Sequence, residues 1–181
     1  MALPQFTIVP AQLHHAAALA AIYAHHVLHG TATFETTPPS EAEMAERLSK
    51  LRDAGAPWLL ANGPDDEVLG YAYASQFRDR PAYRYVCENS IYIRDDLRGA
   101  GIGRALLALL IVEAERAGFR QMIGVIAGAQ PASVRLHAAC GFEEAGRMRS
   151  VGRKHGQWLD TLYMQRALGP GDATPPEREP G

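Results

Sequence analysis

Between Glu88 and Ala117 the chain changes its period, and that change limits what the whole chain can fold into. Ile91 and Ile93 alternate with Ser90 and Tyr92, the twofold pattern of a strand with one apolar face. Arg94 to Leu97 is a short polar connection, and Arg98-Gly-Ala-Gly-Ile-Gly103 is a glycine-rich turn. From there Ile102, Leu106, Leu109 and Leu110 recur at helical spacing. A strand that passes through such a turn into a helix leaves bare N–H groups at the helix start, where the dipole adds positive potential. That is a site for a phosphate or pyrophosphate, and Arg98 and Arg104 add charged donors. The glycines at 99, 101 and 103 do not match the G-x-G-x-x-G of dinucleotide folds, and no Gly-Lys-Ser/Thr follows as in a mononucleotide loop. The alternative is a helix start that only needs tight backbone.

A chain of 181 residues fits one domain with a proper core. The net charge of −2 gives no basic field for nucleic acid or an anionic membrane. Cys87 and Cys140 lack metal-ligand spacing and imply no disulfide framework. Met1 to Pro10 has no secretory pattern, and no apolar run is long enough to span a bilayer. The expected location is cytoplasmic.

In chain order, Phe6 to Val9 reads as an edge strand and Ala11 to Leu28 as a helix. The helix region carries His14, His15, His25, His26 and His29 without an acidic partner, so solvated or capping histidines are expected and no metal. Ser40-Glu-Ala-Glu43 is a capping box for a helix to about Arg52. Trp58 to Ala61 and Val68 to Ser75 read as an antiparallel pair, Gln76 to Ala82 as a loop and Tyr83 to Ile93 as the central strand. Gly118 ends the glycine-loop helix. Gln121 to Ile126 reads as a buried strand, Ala132 to Cys140 as a short helix ending at Gly141, and Glu143 to Val151 and Trp158 to Gln165 as the last strands. Residues 169–181, rich in Pro and Gly, are expected to be a disordered tail after a single domain over 1–168. The order gives an α/β domain with a mixed, mostly antiparallel sheet and flanking helices.

Several strings together carry a resemblance. They are Gly70 to Tyr85 (GYAYASQFRDRPAYRY), Glu88-Asn-Ser-Ile-Tyr-Ile93, Arg98 to Gly103, Ser133-Val-Arg-Leu-His137 with Gly141-Phe142, and Val151 to Asp160 with Met164-Gln165. Over Phe6 to Leu168 the chain resembles the phosphinothricin, methionine sulfoximine and methionine sulfone branch of the GCN5-related N-acetyltransferases (GNAT).

The resemblance implies the GNAT fold and acetyl transfer from acetyl-CoA to the α-amino group of a small amino-acid analogue. It implies that the backbone of Tyr92, Ile93 and Arg94 pairs with the pantetheine amides. Arg98, Gly99, Ala100, Gly101, Ile102, Gly103, Arg104 and Ala105 would cradle the pyrophosphate. Gln130 stands where the family has an Asn that touches the cofactor. Glu88 is the first candidate for general base, since a carboxylate in a partly dry cleft has a raised pKa. A solvated strand carboxylate, or an ion pair with Arg84, is the alternative. His137 is the second candidate, as acid or base, with packing beside Leu136 and Cys140 as the alternative. Arg80 and Tyr83, then Arg78, would take the acid end of the substrate, with Phe77, Phe34, Asn89, Ser90 and Ile91 lining its pocket. A homodimer through the terminal strands is implied by the family alone. Acetylation of a protein N-terminus or other amine, or a silent CoA-binding domain, are the competing readings.

Overall fold

The computed structural model describes residues 5–176. β1 is Thr7–Pro10, α1 Ala16–His29, α2 Glu41–Asp53, β2 Trp58–Asn62, β3 Val68–Gln76 and β4 Val86–Ile93. Then come α3 (Ile102–Arg116), β5 (Gln121–Ala127), α4 (Pro131–Ala139), β6 (Glu143–Lys154) and β7 (Gln157–Ala167). The strands form one seven-stranded sheet in the order β1-β2-β3-β4-β5-β7-β6. Only β4 and β5 pair in parallel, across the α3 crossover. The mixed, mostly antiparallel α/β architecture expected from the sequence is the one observed.

Local signals explain most boundaries. Ser40 Oγ accepts from the Glu43 N–H at 3.2 Å, and Glu43 Oε2 accepts from the Ser40 N–H at 2.7 Å, so the capping box starts α2. Pro131 occupies the first turn of α4, where its missing N–H costs nothing. Gly118 and Gly141 end α3 and α4 at φ +94° and +81°. His155 and Gly156, at φ +48° and +75°, make the two-residue turn between β6 and β7.

The sheet separates two cores. On one face Ile102, Leu106, Leu107 and Leu110 of α3 pack on Ala72, Ala74, Cys87 and Met122. On the other, Leu19, Tyr23 and Val27 of α1 with Met44 and Leu48 of α2 pack on Leu60, Tyr71 and Tyr92. Burial on this scale, at about 25 cal/mol per Å² of apolar area, is the main stabilising term.

One expectation needs correction. β4 begins at Val86, because Pro81 nucleates a 3₁₀ turn through Tyr83, closed by the Arg84 N–H on Pro81 O at 3.0 Å. Within the expected tail, residues 169–176 make hydrogen bonds to neighbouring backbone and to Arg120. The Gly171 N–H donates to Leu168 O, and Arg120 donates to Thr174 O at 2.7 Å and Pro175 O at 3.2 Å. The remainder of that tail lies outside the described residues.

Candidate active site

β4 and β5 pair from Val86↔Gln121 to Asn89↔Gly124 and then part, although β4 runs on to Ile93 and β5 to Ala127. Their separation decides which backbone groups are free. The Phe77 N–H donates to Val86 O and the Arg94 N–H to Leu69 O, so Val86, Glu88, Ser90, Tyr92 and Arg94 turn their backbone toward β3. Ile91 and Ile93 turn theirs toward the gap. The Ile93 carbonyl accepts there from His26 Nε2 at 2.9 Å. Tyr92 and Arg94, expected to pair with a ligand, face the β3 ladder instead.

The gap opens into a cleft of about 640 Å³. Its β4 wall is Glu88, Asn89, Ser90, Ile91, Tyr92 and Ile93, and Phe34 and Thr33 approach from the α1–α2 loop. At its other end lie Arg98, Gly99, Ala100, Gly101, Ile102, Gly103 and Arg104, with Gln130 and His137 across from them. Ala105 does not line it; its N–H is already inside α3, on Gly101 O.

The glycine turn fits a phosphate ligand. Gly99 and Gly101 sit at φ +79° and +83°, and a Cβ at either would meet nothing within 4 Å. No side chain caps α3 at Gly101, so the first N–H groups of this 15-residue helix lack a side-chain acceptor. Arg98 pairs with Asp95 at 2.8 Å. Arg94 points away from the cleft, to Glu67 and to Asp96 at 2.7 Å. The Gln130 amide is engaged as well, donating to Thr31 Oγ1 at 2.6 Å.

Glu88 shares its face with Ser90 and Tyr92, as alternation requires. Burial raises its pKa above the usual carboxylate range, and the positive charge of Arg78 partly offsets that. His137 lies at the cleft wall but is only 4% exposed. Its Nδ1 is 2.8 Å from Ser133 O and its Nε2 3.0 Å from Asn89 Oδ1. Burial lowers its pKa, opposed by the Ser133 bond.

The expected acid-binding residues lie outside the cleft lining. Arg78, Arg80 and Tyr83 are exposed on the β3–β4 loop. The Arg78 guanidinium covers the Phe77 ring at 4.5 Å, and that ring meets Tyr83 edge-on at 5.8 Å. Phe34 does reach the cleft, its ring pressed on Gly152, where a Cβ would lie 2.5 Å from it.

Sequence reasoning missed the struts of the α1–α2 loop. Buried Lys154 donates to Thr33 O at 2.8 Å, and Tyr23 Oη pairs with Thr33 Oγ1 at 2.8 Å. It also missed His26 and Gly124. Histidine clustering in α1 was visible, but nothing in the periodicity singled out His26.

Among the described residues, His14, His15 and Asp66 bring ligand atoms within 4.8 Å of one another. A metal-bound imidazole needs a lone pair on one nitrogen and its proton on the other. His15 Nδ1 accepts from the Gln12 N–H at 2.9 Å, which leaves the proton on Nε2. Ligation would break that local bond.

Residues 8–163 match the acetyltransferase (GNAT) domain family. The phosphinothricin N-acetyltransferase of Alcaligenes faecalis is 51% identical over 161 residues, 88% of this chain and 81% of that one. The L-methionine sulfoximine/L-methionine sulfone acetyltransferase of Pseudomonas aeruginosa is 39% identical, over 86% and 90% of the two chains. A GNAT superfamily phosphinothricin acetyltransferase from Sinorhizobium meliloti, solved with AcCoA, superposes with a TM-score of 0.94 at 50% identity, over 96% of this chain and 94% of that one. By the domain match over residues 8–163 and by these relatives, this chain belongs to the GNAT acetyltransferase family.

Proposed function

We propose that the chain moves the acetyl group of acetyl-CoA onto the α-amino group of a small amino-acid analogue of the phosphinothricin, methionine sulfoximine or methionine sulfone type. The observation that carries this reading is one cleft that joins an uncapped glycine turn, strand backbone left out of the ladder and a half-buried carboxylate. The named activities of the relatives support the acceptor class.

Acetyl-CoA supplies an acetyl group activated as a thioester. The N–H groups at the start of α3, with Arg98 and Arg104, hold its pyrophosphate. The backbone of Ile91 and the N–H of Ile93, whose carbonyl is held by His26, orient its pantetheine arm. Glu88 takes a proton from the acceptor ammonium, directly or through a water, which frees the nitrogen lone pair to attack the thioester carbonyl; as the N–C bond forms the C–S bond breaks, and coenzyme A leaves as a thiolate that takes up the second proton shed by the nitrogen. Its raised pKa brings it nearer the working pH, where a base is most effective. Arg78, whose charge acts on Glu88, takes the acid group of the acceptor together with Arg80 and Tyr83 of the same exposed loop. Phe34 closes the acceptor side.

This reading includes a cytoplasmic homodimer. β6 is an edge strand, and the β6–β7 surface exposes Met148, Val151 and Trp158, the last 62% exposed. A single monomeric species by sedimentation at micromolar concentration would remove the dimer.

The test of function is free-thiol release from acetyl-CoA with phosphinothricin, methionine sulfoximine, methionine sulfone and a generic peptide as acceptors. Turnover confined to the three small acids is expected. Turnover on the peptide alone would move the function to protein acetylation. Silence on all four, with acetyl-CoA still bound, would point to a binding domain and refute the reading.

A further inference from the structure

The point where β4 and β5 part is occupied by side chains, not left to chance. Asn89 and Gly124 are the last paired residues of the two strands. Asn89 is 6% exposed, and its Nδ2 donates to Ile123 O at 3.1 Å, bridging the strands at their last contact. Its Oδ1 faces His137 Nε2 at 3.0 Å. His137 reaches in from α4, tied one turn back by Nδ1 to Ser133 O at 2.8 Å and set edge-on to Phe142 at 5.0 Å. A Cβ on Gly124 would lie 2.7 Å from His137 Cδ2 and 2.8 Å from Nε2. The imidazole thus fills the space that a side chain at 124 would take.

We propose that His137 is a positioning residue: with Asn89 and Gly124 it forms a wedge that stops β4–β5 pairing at Asn89 and keeps the Ile91 and Ile93 backbone open to the acetyl-CoA arm. The inference rests on the acetyl-CoA reading for its ligand, but the wedge itself is a matter of strand pairing. Continued pairing would satisfy the Ile91 and Ile93 backbone groups within the sheet, as most buried backbone groups are. Something must hold the strands apart, and the imidazole stands at the vertex. Both ring nitrogens already face protein oxygens within 3.0 Å, so neither is aimed at the cleft as a proton donor. Ser133 O and Asn89 Oδ1 are both acceptors, so the neutral ring that burial favours donates to one of them and its single proton is held inside the protein.

The variants are His137→Ala, which removes the wedge, and Asn89→Leu, which keeps the bulk and loses the bridge. Acetyl-CoA affinity is read by calorimetry, kinetics by thiol release over a pH series, and strand pairing by amide exchange at Ile91 and Ile93. Each variant is expected to weaken acetyl-CoA about tenfold, the worth of one or two lost hydrogen bonds. The pH limbs should stay in place, and exchange at Ile91 and Ile93 should slow as the strands close. The double variant should cost less than the product of the two, since both act on one contact. A fall of about a hundredfold in kcat with unchanged acetyl-CoA affinity and a lost alkaline limb would make His137 a general acid and overturn the proposal. Unchanged affinity with unchanged exchange would overturn it as well. A wild-type protein that binds no acetyl-CoA would sink the functional reading alone; the exchange data would still decide the wedge. If His137→Ala fails to fold, Asn89→Leu decides.

Discussion

Replacing Glu88 by Gln should move activity and stability in opposite directions. Gln keeps the shape and removes the carboxylate. If Glu88 is the base, acceptor turnover falls by about 10²–10⁴-fold, the usual worth of general-base catalysis. At roughly 1.36 kcal/mol per tenfold, that is about 3–5 kcal/mol of lost transition-state stabilisation. Stability follows from the same burial. Glu88 has its pKa raised in the folded state by desolvation, so the folded protein holds its proton to higher pH than the unfolded chain does. Below the unfolded value of about 4.3 both states are protonated and Glu88 costs nothing. As pH rises from there to the raised folded pKa, the unfolded chain ionises first and stability falls; above the folded pKa the whole penalty is present. Gln carries no such penalty. The melting temperature of Glu88→Gln should therefore match wild type at acid pH and exceed it at pH 8, each kcal/mol being worth about 2–4 °C in a chain of this size. The assays are thiol release and thermal unfolding at both pH values. A melting-point difference that is flat or reversed with pH refutes the desolvation argument, and a variant within about threefold of wild-type turnover refutes the base.

Other perturbations separate the parts of the molecule. Gly101→Ala forces an ordinary residue into φ +83°, at about 1–2 kcal/mol, and places a methyl group in the open phosphate space. The KM for acetyl-CoA should rise while that for the acceptor stays, and equal rises would be against the cradle. Gly152→Ala puts a methyl group 2.5 Å from the Phe34 ring and should displace it, raising the acceptor KM selectively; an unchanged acceptor KM would show that Phe34 is not part of the pocket. Ser40→Ala breaks the capping box of α2 and should cost about 0.5–2 kcal/mol in chemical denaturation, with kinetic constants unaltered.

The sequence by itself determined the elements and their order. Periods of two and 3.6, the Ser40–Glu43 box, Pro131 and the stops at Gly118 and Gly141 are local signals, read from residues a few positions apart, and the structure places each of them as expected. The glycine turn and the face shared by Glu88, Ser90 and Tyr92 were legible for the same reason. What only the tertiary structure decided are contacts between distant segments. That Tyr92 and Arg94 turn their backbone toward β3, while Ile91 and Ile93 turn theirs to the cleft, follows from the β3–β4 register, which no single strand encodes. The engagement of Gln130 with Thr31, of Lys154 with Thr33 and of Arg120 with the chain end depends on how far side chains reach across the packed sheet. His137 shows the division most plainly. Its helix could be read from the sequence, but whether its nitrogens meet substrate or protein was fixed by Asn89 and by the missing side chain at Gly124, both far from it along the chain.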